Sequence, residues 1–239
     1  MTAVNFARRN DLSELMDTEP VTPEDFAACL KDLATVNRLT LAMRPTFHWL
    51  SRATRNWPAQ RPFSVLDVGH GQGDMLRAIW HWAQRRGLKV ELEGIDLNPL
   101  SEYAARQATP DAMNIRFRTG DVFALGAERR FDVVISSLVT HHLTDAQIVA
   151  FIRLMERQTT TGWFINDLHR HALSYHVFRF WAALAGWHRF VRHDGPVSIA
   201  RSFRRADWER YLMQARVDAD IDWYMPFRFG VGRVKVPRS

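Results

Sequence analysis

Residues 65–74 read Val-Leu-Asp-Val-Gly-His-Gly-Gln-Gly-Asp: an apolar run ending in an acid, three alternating glycines, then a second acid opening a helical pattern. Glycine lets a backbone approach a ligand closely. The first N–H groups of a helix are unpaired and carry the positive end of its dipole. Strand, glycine turn and helix together make a nucleotide cradle, and in open α/β sheets such ligands lie beyond the carboxyl ends of the strands. A dinucleotide is disfavoured. Its fingerprint is GxGxxG, whereas Gly69, Gly71 and Gly73 are spaced GxGxG, and Asp74 stands where the third glycine belongs, poorly placed against a pyrophosphate.

Two groups of histidines offer proton chemistry. His141 and His142 follow the apolar run 131–137, and Asp167, His169 and His171 follow 163–166. A neutral imidazole can take a proton from a phenol, and a carboxylate can orient it. Asp167 beside His169 or His171 meets that pattern; it equally meets that of a helix cap with histidines facing solvent. His169, His171 and Asp167 are also metal-ligand types, but no further ligand spacing accompanies them, so no metal is expected. The single cysteine, Cys29, excludes an internal disulfide and a cysteine-based zinc site.

These residues must be held at the ends of strands. Apolar segments at 63–68, 90–97, 114–118, 131–136 and 163–166 alternate with helical patterns at 74–86, 101–108, 144–157, 171–185 and 206–215. Ser101 is a candidate cap of the second of these helices. Such alternation predicts an α/β, doubly wound, mostly parallel sheet. Two last β segments, 217–224 and 227–236, read as an antiparallel hairpin at one edge. Residues around Gly195-Pro196, with His193 and Asp194, read as a loop. Residues 1–60 read as a helical cap, with Thr22 before Pro23 as a helix start and Pro45 as a kink or stop. Residues 61–239 form the ligand-binding domain.

The glycine run resembles motif I of the class I S-adenosylmethionine-dependent methyltransferases, D/E-x-G-x-G-x-G: Asp67, Gly69, Gly71 and Gly73 match, while His70 stands where a small residue is usual. Gly94-Ile-Asp96-Leu97, 23 residues on from Gly73 to Asp96, Gly120-Asp121-Val122, and 131–137 followed by 138–143 fall where the family has its other elements. The resemblance implies a seven-stranded Rossmann-like sheet with an N-terminal helical cap and a helical insertion after the fifth strand. It implies S-adenosylmethionine as cofactor and S-adenosylhomocysteine as product. Asp96 would accept from the ribose hydroxyls, Leu97 would lie against the adenine, Asp121 would meet the adenine amino group and the N–H of Val122 the ring, with Ser137 at the fourth strand end. Methyl transfer is an in-line displacement. Among His142, His141, His169 and Asp167 as catalytic candidates, His142 is preferred as general base.

The match is nearest the quinone-ring and small-molecule branch. The stretches FINDLHRHALSYHVFRF and HDGPVSIARSFRRADWERYL, with ELMD and VNR near the N-terminus, are similar to bacterial methyltransferases found beside type III polyketide synthases. That similarity implies O-methylation, in preference to C-methylation, of an aromatic, polyketide-derived or lipidic small molecule. Residues 168–203, an insertion crowded with aromatic side chains, would close an apolar pocket with the cap. Arg38 and Arg44 on the cap are candidates for the cofactor carboxylate or an anionic substrate.

At 239 residues, 46% apolar and 24% charged, the chain excludes a disordered protein or a small stapled scaffold. The formal charge of +6 comes from the last third, where 13 basic side chains face 7 acidic ones. The basic residues are scattered, and 131–141 lacks the Asn/Asp-Pro-Pro-aromatic motif of base-methylating enzymes, so no nucleic-acid partner is expected. An RNA methyltransferase and a non-catalytic cofactor-binding partner protein are the competing readings. No transmembrane segment and no signal peptide are expected, and a cytoplasmic monomer or homodimer is the expectation. The aromatic and basic stretch 175–190 raises peripheral membrane contact as a further reading.

Overall fold

The computed structural model describes residues 4–19, 22–126 and 129–235. Strands Phe63–Val68 (β1), Val90–Asp96 (β2), Arg116–Thr119 (β3), Phe131–Ser137 (β4), Thr159–Leu168 (β5), Asp220–Tyr224 (β6) and Arg228–Val234 (β7) form one sheet in the order β3-β2-β1-β4-β5-β7-β6. The first five are parallel; β7 runs antiparallel between β5 and β6. The strand order reverses between β1 and β4, so the loops after these two strands diverge and leave a crevice.

The helices are Leu15–Thr18 (α1), Pro23–Leu39 (α2), Arg44–Ala53 (α3), Asp74–Arg85 (α4), Pro99–Ala108 (α5), Asp145–Gln158 (α6), Ala172–Leu184 (α7), Arg189–Arg201 (α8) and Arg205–Ala215 (α9). Side chains alternate along each buried strand. Leu66, Val68, Val134, Trp163 and Ile165 enter one core with Trp208 and Tyr211 of α9 and Ile148 and Ile152 of α6. Val65, Val133, Ile135 and Phe164 enter the other with Trp49 and Leu50 of α3 and Ile79 and Trp82 of α4. Burial on both faces is why β1 and β4 read as continuous apolar runs.

Local chemistry sets the helix starts. Thr22 accepts from Asp25 N–H, with Pro23 at the first helical position. Thr144 and Gln147 form a reciprocal capping box on α6. Among the boundaries that differ from the sequence reading, three have a clear physical reason. Asn98, not Ser101, caps α5, because its side chain reaches Leu100 N–H and Pro99 already holds helical φ. β5 begins at Thr159, since β-branched threonines suit a strand. Gly195 and Pro196 lie inside α8. Tertiary packing overrides the local turn signal there: Asp194 accepts from Leu15 and Met16 N–H, and a Cβ on Gly195 would stand 2.1 Å from the Phe178 ring.

Candidate active site

The turn after β1 is built for close backbone approach. Gly69, Gly71 and Gly73 all have positive φ, at 76°, 52° and 75°. Their surroundings differ. A Cβ on Gly69 would meet Val139 at 2.2 Å and one on Gly73 would meet the Phe117 ring at 2.6 Å, so these two lock the turn against its neighbours. A Cβ on Gly71 would meet nothing within 4 Å. Gly71 therefore faces open space, and its N–H donates to Asp96 Oδ2 at 2.9 Å. Asp96 Oδ1 accepts from Asn98 N–H, also at 2.9 Å. Each carboxylate oxygen keeps a second lone pair for a ligand hydroxyl.

Three acids face this crevice. Asp67 is 2% exposed and its Oδ1 has no hydrogen-bond partner. Burial, then Asp74 and Asp96, push its carboxyl well above the ordinary range. Asp74 is raised as well, again by burial. Asp67, Asp74, Gly69, Gly71, Gln72 and Ser137 line a cavity of about 200 Å³ roofed by Leu33, Ala34 and Asn37 of α2. Like charges around an unpaired buried carboxylate suit a cation. His70 is buried in the wall of the same cavity: Nδ1 lies 2.8 Å from its neighbour's carbonyl, Gly71 O, and a Cβ on Gly94 would collide with its ring at 2.7 Å.

Beside this crevice, Leu97 stands 71% exposed beyond β2, an apolar side chain mostly open to solvent. Asp121 is exposed beyond β3 and caps the short turn Val122–Ala124 by accepting from Phe123 N–H at 2.9 Å. Val122 is buried.

Past Leu138, which takes φ 60° after β4, lies a larger cavity of about 570 Å³. Its wall is mostly apolar and aromatic, with Val36, Val177, Phe178, Trp181, Trp187 and Phe227, and its polar members include Glu14, His141, His142, His169 and Arg228. Leu33, Asn37 and Leu138 line both cavities, so the two meet there.

His141 is 3% exposed and its Nδ1 sits 2.8 Å from Asp167 Oδ1. Asp167 also accepts from Leu168 N–H at 2.7 Å, from His141 N–H at 3.2 Å and from the Thr140 hydroxyl. Burial alone would raise its carboxyl, but the charge and hydrogen bond of His141, with those of Thr140 and Leu168, hold it down at about 2. With Nδ1–H given to Asp167, Nε2 is the basic atom, turned toward Glu14 Oε1 at 3.7 Å. His142 Nε2 lies 3.8 Å from Glu14 Oε2. Glu14 is held by Ser198, whose hydroxyl donates at 2.7 Å. The segment bearing Glu14 is tied down by Arg9, which donates to the carbonyls of His141, Leu143 and Arg201. Glu14, His141 and His142 also bring three ligand-type atoms within 4.8 Å of one another, a donor set that could hold a divalent cation.

The structure thus joins Asp167 to His141, not to His169 or His171. The strand pairing of β4 with β5 decides this, since it sets Ser137 beside Asn166 and the two loops leave together. His171 caps α7 through Leu173 N–H, and His169 Nδ1 accepts from Trp223 Nε1 at 3.2 Å. His169 lines the large cavity; burial, then His171, Arg204 and Arg170, lower its imidazole to about 4. Arg38 and Arg44 line neither cavity. Sequence reasoning missed Glu14, Asn37, Thr140 and Arg228 as site residues. The stretches ELMD and VNR held the first two, yet nothing local tied them to β4.

Residues 65–162 match a family described as a methyltransferase domain. No curated protein matches the sequence. Among solved structures, a plantazolicin methyltransferase in complex with a triazolic desmethyl analogue and S-adenosylhomocysteine superposes with TM-score 0.63 at 18% identity, covering 87% of this chain and 75% of that one. Magnesium protoporphyrin IX methyltransferase from Synechocystis PCC 6803 superposes with TM-score 0.56 at 16% identity, covering 83% and 85%. A pericyclic reaction enzyme shares the fold at TM-score 0.57 and 13% identity, covering 78% of this chain and 47% of that one. Sheet order, glycine turn and family match agree: residues 65–162 match a methyltransferase domain, and the chain has the Rossmann-like fold of its S-adenosylhomocysteine-bound structural neighbours.

Proposed function

We propose that the protein transfers a methyl group from S-adenosylmethionine to an oxygen of a small aromatic or polyketide-like molecule, with His141 as general base. One observation carries this reading: an apolar cavity bearing His141 meets a glycine-lined, acid-rich cavity at Leu33, Asn37 and Leu138. The cofactor fits the smaller cavity and the crevice beside it. Asp67 Oδ1 is an orphan acceptor for its ammonium, Gly71 leaves backbone space, Asp96 has lone pairs for ribose hydroxyls, and Leu97 offers a bare apolar face. When bound, the cofactor supplies an electrophilic methyl on a sulfonium.

The chain's own residues do the rest. Leu33, Asn37 and Leu138 hold the acceptor at the junction of the two cavities. Phe178, Trp181 and Trp187 exclude water and cover a planar ring. Asp167 fixes the His141 ring through Nδ1, which leaves Nε2 for a phenolic proton, and stabilises the imidazolium once that proton arrives. Glu14, facing Nε2, stabilises that same cation. His141 is favoured over His142 because it is buried and carboxylate-bound, whereas the His142 side chain is 34% exposed. The 570 Å³ apolar cavity favours a small molecule over a nucleic acid.

The test is calorimetric titration with S-adenosylhomocysteine, then a panel of phenols, quinols and alkylpyrones with S-adenosylmethionine, with and without chelator. Binding lost in Asp96→Ala, and turnover lost in His141→Asn with cofactor affinity intact and no effect of chelator, is expected. A folded protein that binds neither form of the cofactor overturns the proposal. Loss of turnover in chelator would move Glu14, His141 and His142 to a metal site. Cofactor binding with a chemical change but no methyl loss would point to the fold's non-transferring use.

A further inference from the structure

Arg228 opens β7 and lines the large cavity, yet its side chain is 3% exposed. A buried guanidinium is normally met by carboxylates or carbonyls. This one makes a single protein hydrogen bond, Nη2 to the Thr40 hydroxyl at 3.3 Å, while Nε and Nη1 have no partner. The opposite charge that acts on it is Asp167, and it is spent: its oxygens already take the Thr140 hydroxyl, the His141 ring and the backbone N–H groups of His141 and Leu168. An ionised carboxylate has about four acceptor sites, so none is left for Arg228. Burial, opposed only by the charge of Asp167, lowers the guanidinium to about 10.

The contrast with Arg170 is instructive. Arg170 is as deeply buried, but it donates to Asp207, Ser202 O and Phe6 O. Arg170 is a satisfied structural arginine, whereas Arg228, in the wall of an apolar cavity, leaves Nε and Nη1 without a partner. A carboxylate beside it would supply the counter-charge and a charge-assisted hydrogen bond that the protein does not.

We propose that Arg228 is the anchor for a carboxylate on the acceptor, so that the large cavity takes a planar, aromatic or polyketide-type acid in preference to its neutral counterpart. The ring would lie among Phe178, Trp181, Trp187 and Phe227, and the acid at the β7 side would set which end of the molecule points to Leu138. This deepens the small-molecule reading and rests on it for the identity of the cavity as the acceptor site.

Binding tests it without turnover. Trp181 and Trp187 line the cavity, so their fluorescence reports occupancy. The probes are 2-naphthoate and its isostere 2-naphthamide, titrated into cofactor-free wild type, Arg228→Met and Arg228→Lys. Wild type should bind the carboxylate about tenfold or more tighter than the amide. Arg228→Met should bind both within about twofold and be no less thermostable than wild type, because it loses a buried charge that no protein carboxylate pairs. Arg228→Lys should keep a reduced preference. Equal binding of both probes by wild type, a preference surviving in Arg228→Met, or no binding of either probe at about 1 mM overturns the proposal. None of these outcomes touches cofactor binding or methyl transfer, so they are separable from failure of the parent reading.

Discussion

Asp67 gives the sharpest test of the crevice. It is fully enclosed, its Oδ1 is unpaired, and burial, Asp74 and Asp96 all disfavour its charge. An acid whose folded pKa lies above its unfolded one binds more protons when folded. Its contribution to stability is therefore lost as pH rises from 3.8 through the raised value. Asp67→Asn keeps the shape and removes both the titration and the repulsion from Asp74 and Asp96. The amide must itself be desolvated, which leaves a net gain of about 1 kcal/mol near neutrality. For a chain of this size that is about 2–4 °C in Tm. Ligand binding moves the other way. A cationic ammonium loses a charge-assisted hydrogen bond of about 1.5–3 kcal/mol, which weakens Kd by about 10- to 150-fold. Thermal melts from about pH 4 to about pH 9 and calorimetry with S-adenosylhomocysteine read both effects. A variant that is less stable than wild type at neutral pH, or that binds the ligand unchanged, would refute the reasoning.

Other substitutions separate space from strain and charge from packing. Gly71→Ala meets no protein atom and should fold with a loss of about 1–2 kcal/mol from its positive φ, yet lose cofactor binding; Gly73→Ala, driven into Phe117, should unfold well below wild type, and paired melts and titrations check the contrast. Asp167 is depressed to about 2, so its stabilisation is present above 3.8 and lost as pH falls toward 2; Asp167→Asn should cost about 3–5 kcal/mol at neutral pH and flatten that acid limb in denaturant titrations. His169 is lowered to about 4, so stability present above 6.5 is lost as pH falls toward 4, and His169→Gln, which keeps an acceptor for Trp223, should remove that loss in melts across the same range.

The sheet was legible because its rules are local. β1 and β4 are apolar runs that only two-sided burial explains, and the glycine turn and Asp96 lie within one β-turn-α-β stretch. Neighbours in sequence stay neighbours in space there, so the glycine turn and Asp96 come together within one short stretch. Thr22 and Thr144 announced their helices for the same reason. Pro196 misled, because the contacts that keep its segment helical come from Leu15 and Met16, whose N–H groups donate to Asp194, and from Phe178 on α7, none of which the local sequence displays.

The proton-handling site and the anion anchor could not be read this way. His141 meets Asp167 across 26 residues, Glu14 reaches both histidines from the N-terminal strap, and Arg228 arrives on a late antiparallel strand threaded between β5 and β6. By itself the sequence determined the glycine turn and the acids that line the crevice, since a turn and two strand ends carry them. Only the tertiary structure decided which histidine is held by a carboxylate and which arginine is buried without one, because both depend on where burial strips away water and which lone pairs other donors have already filled.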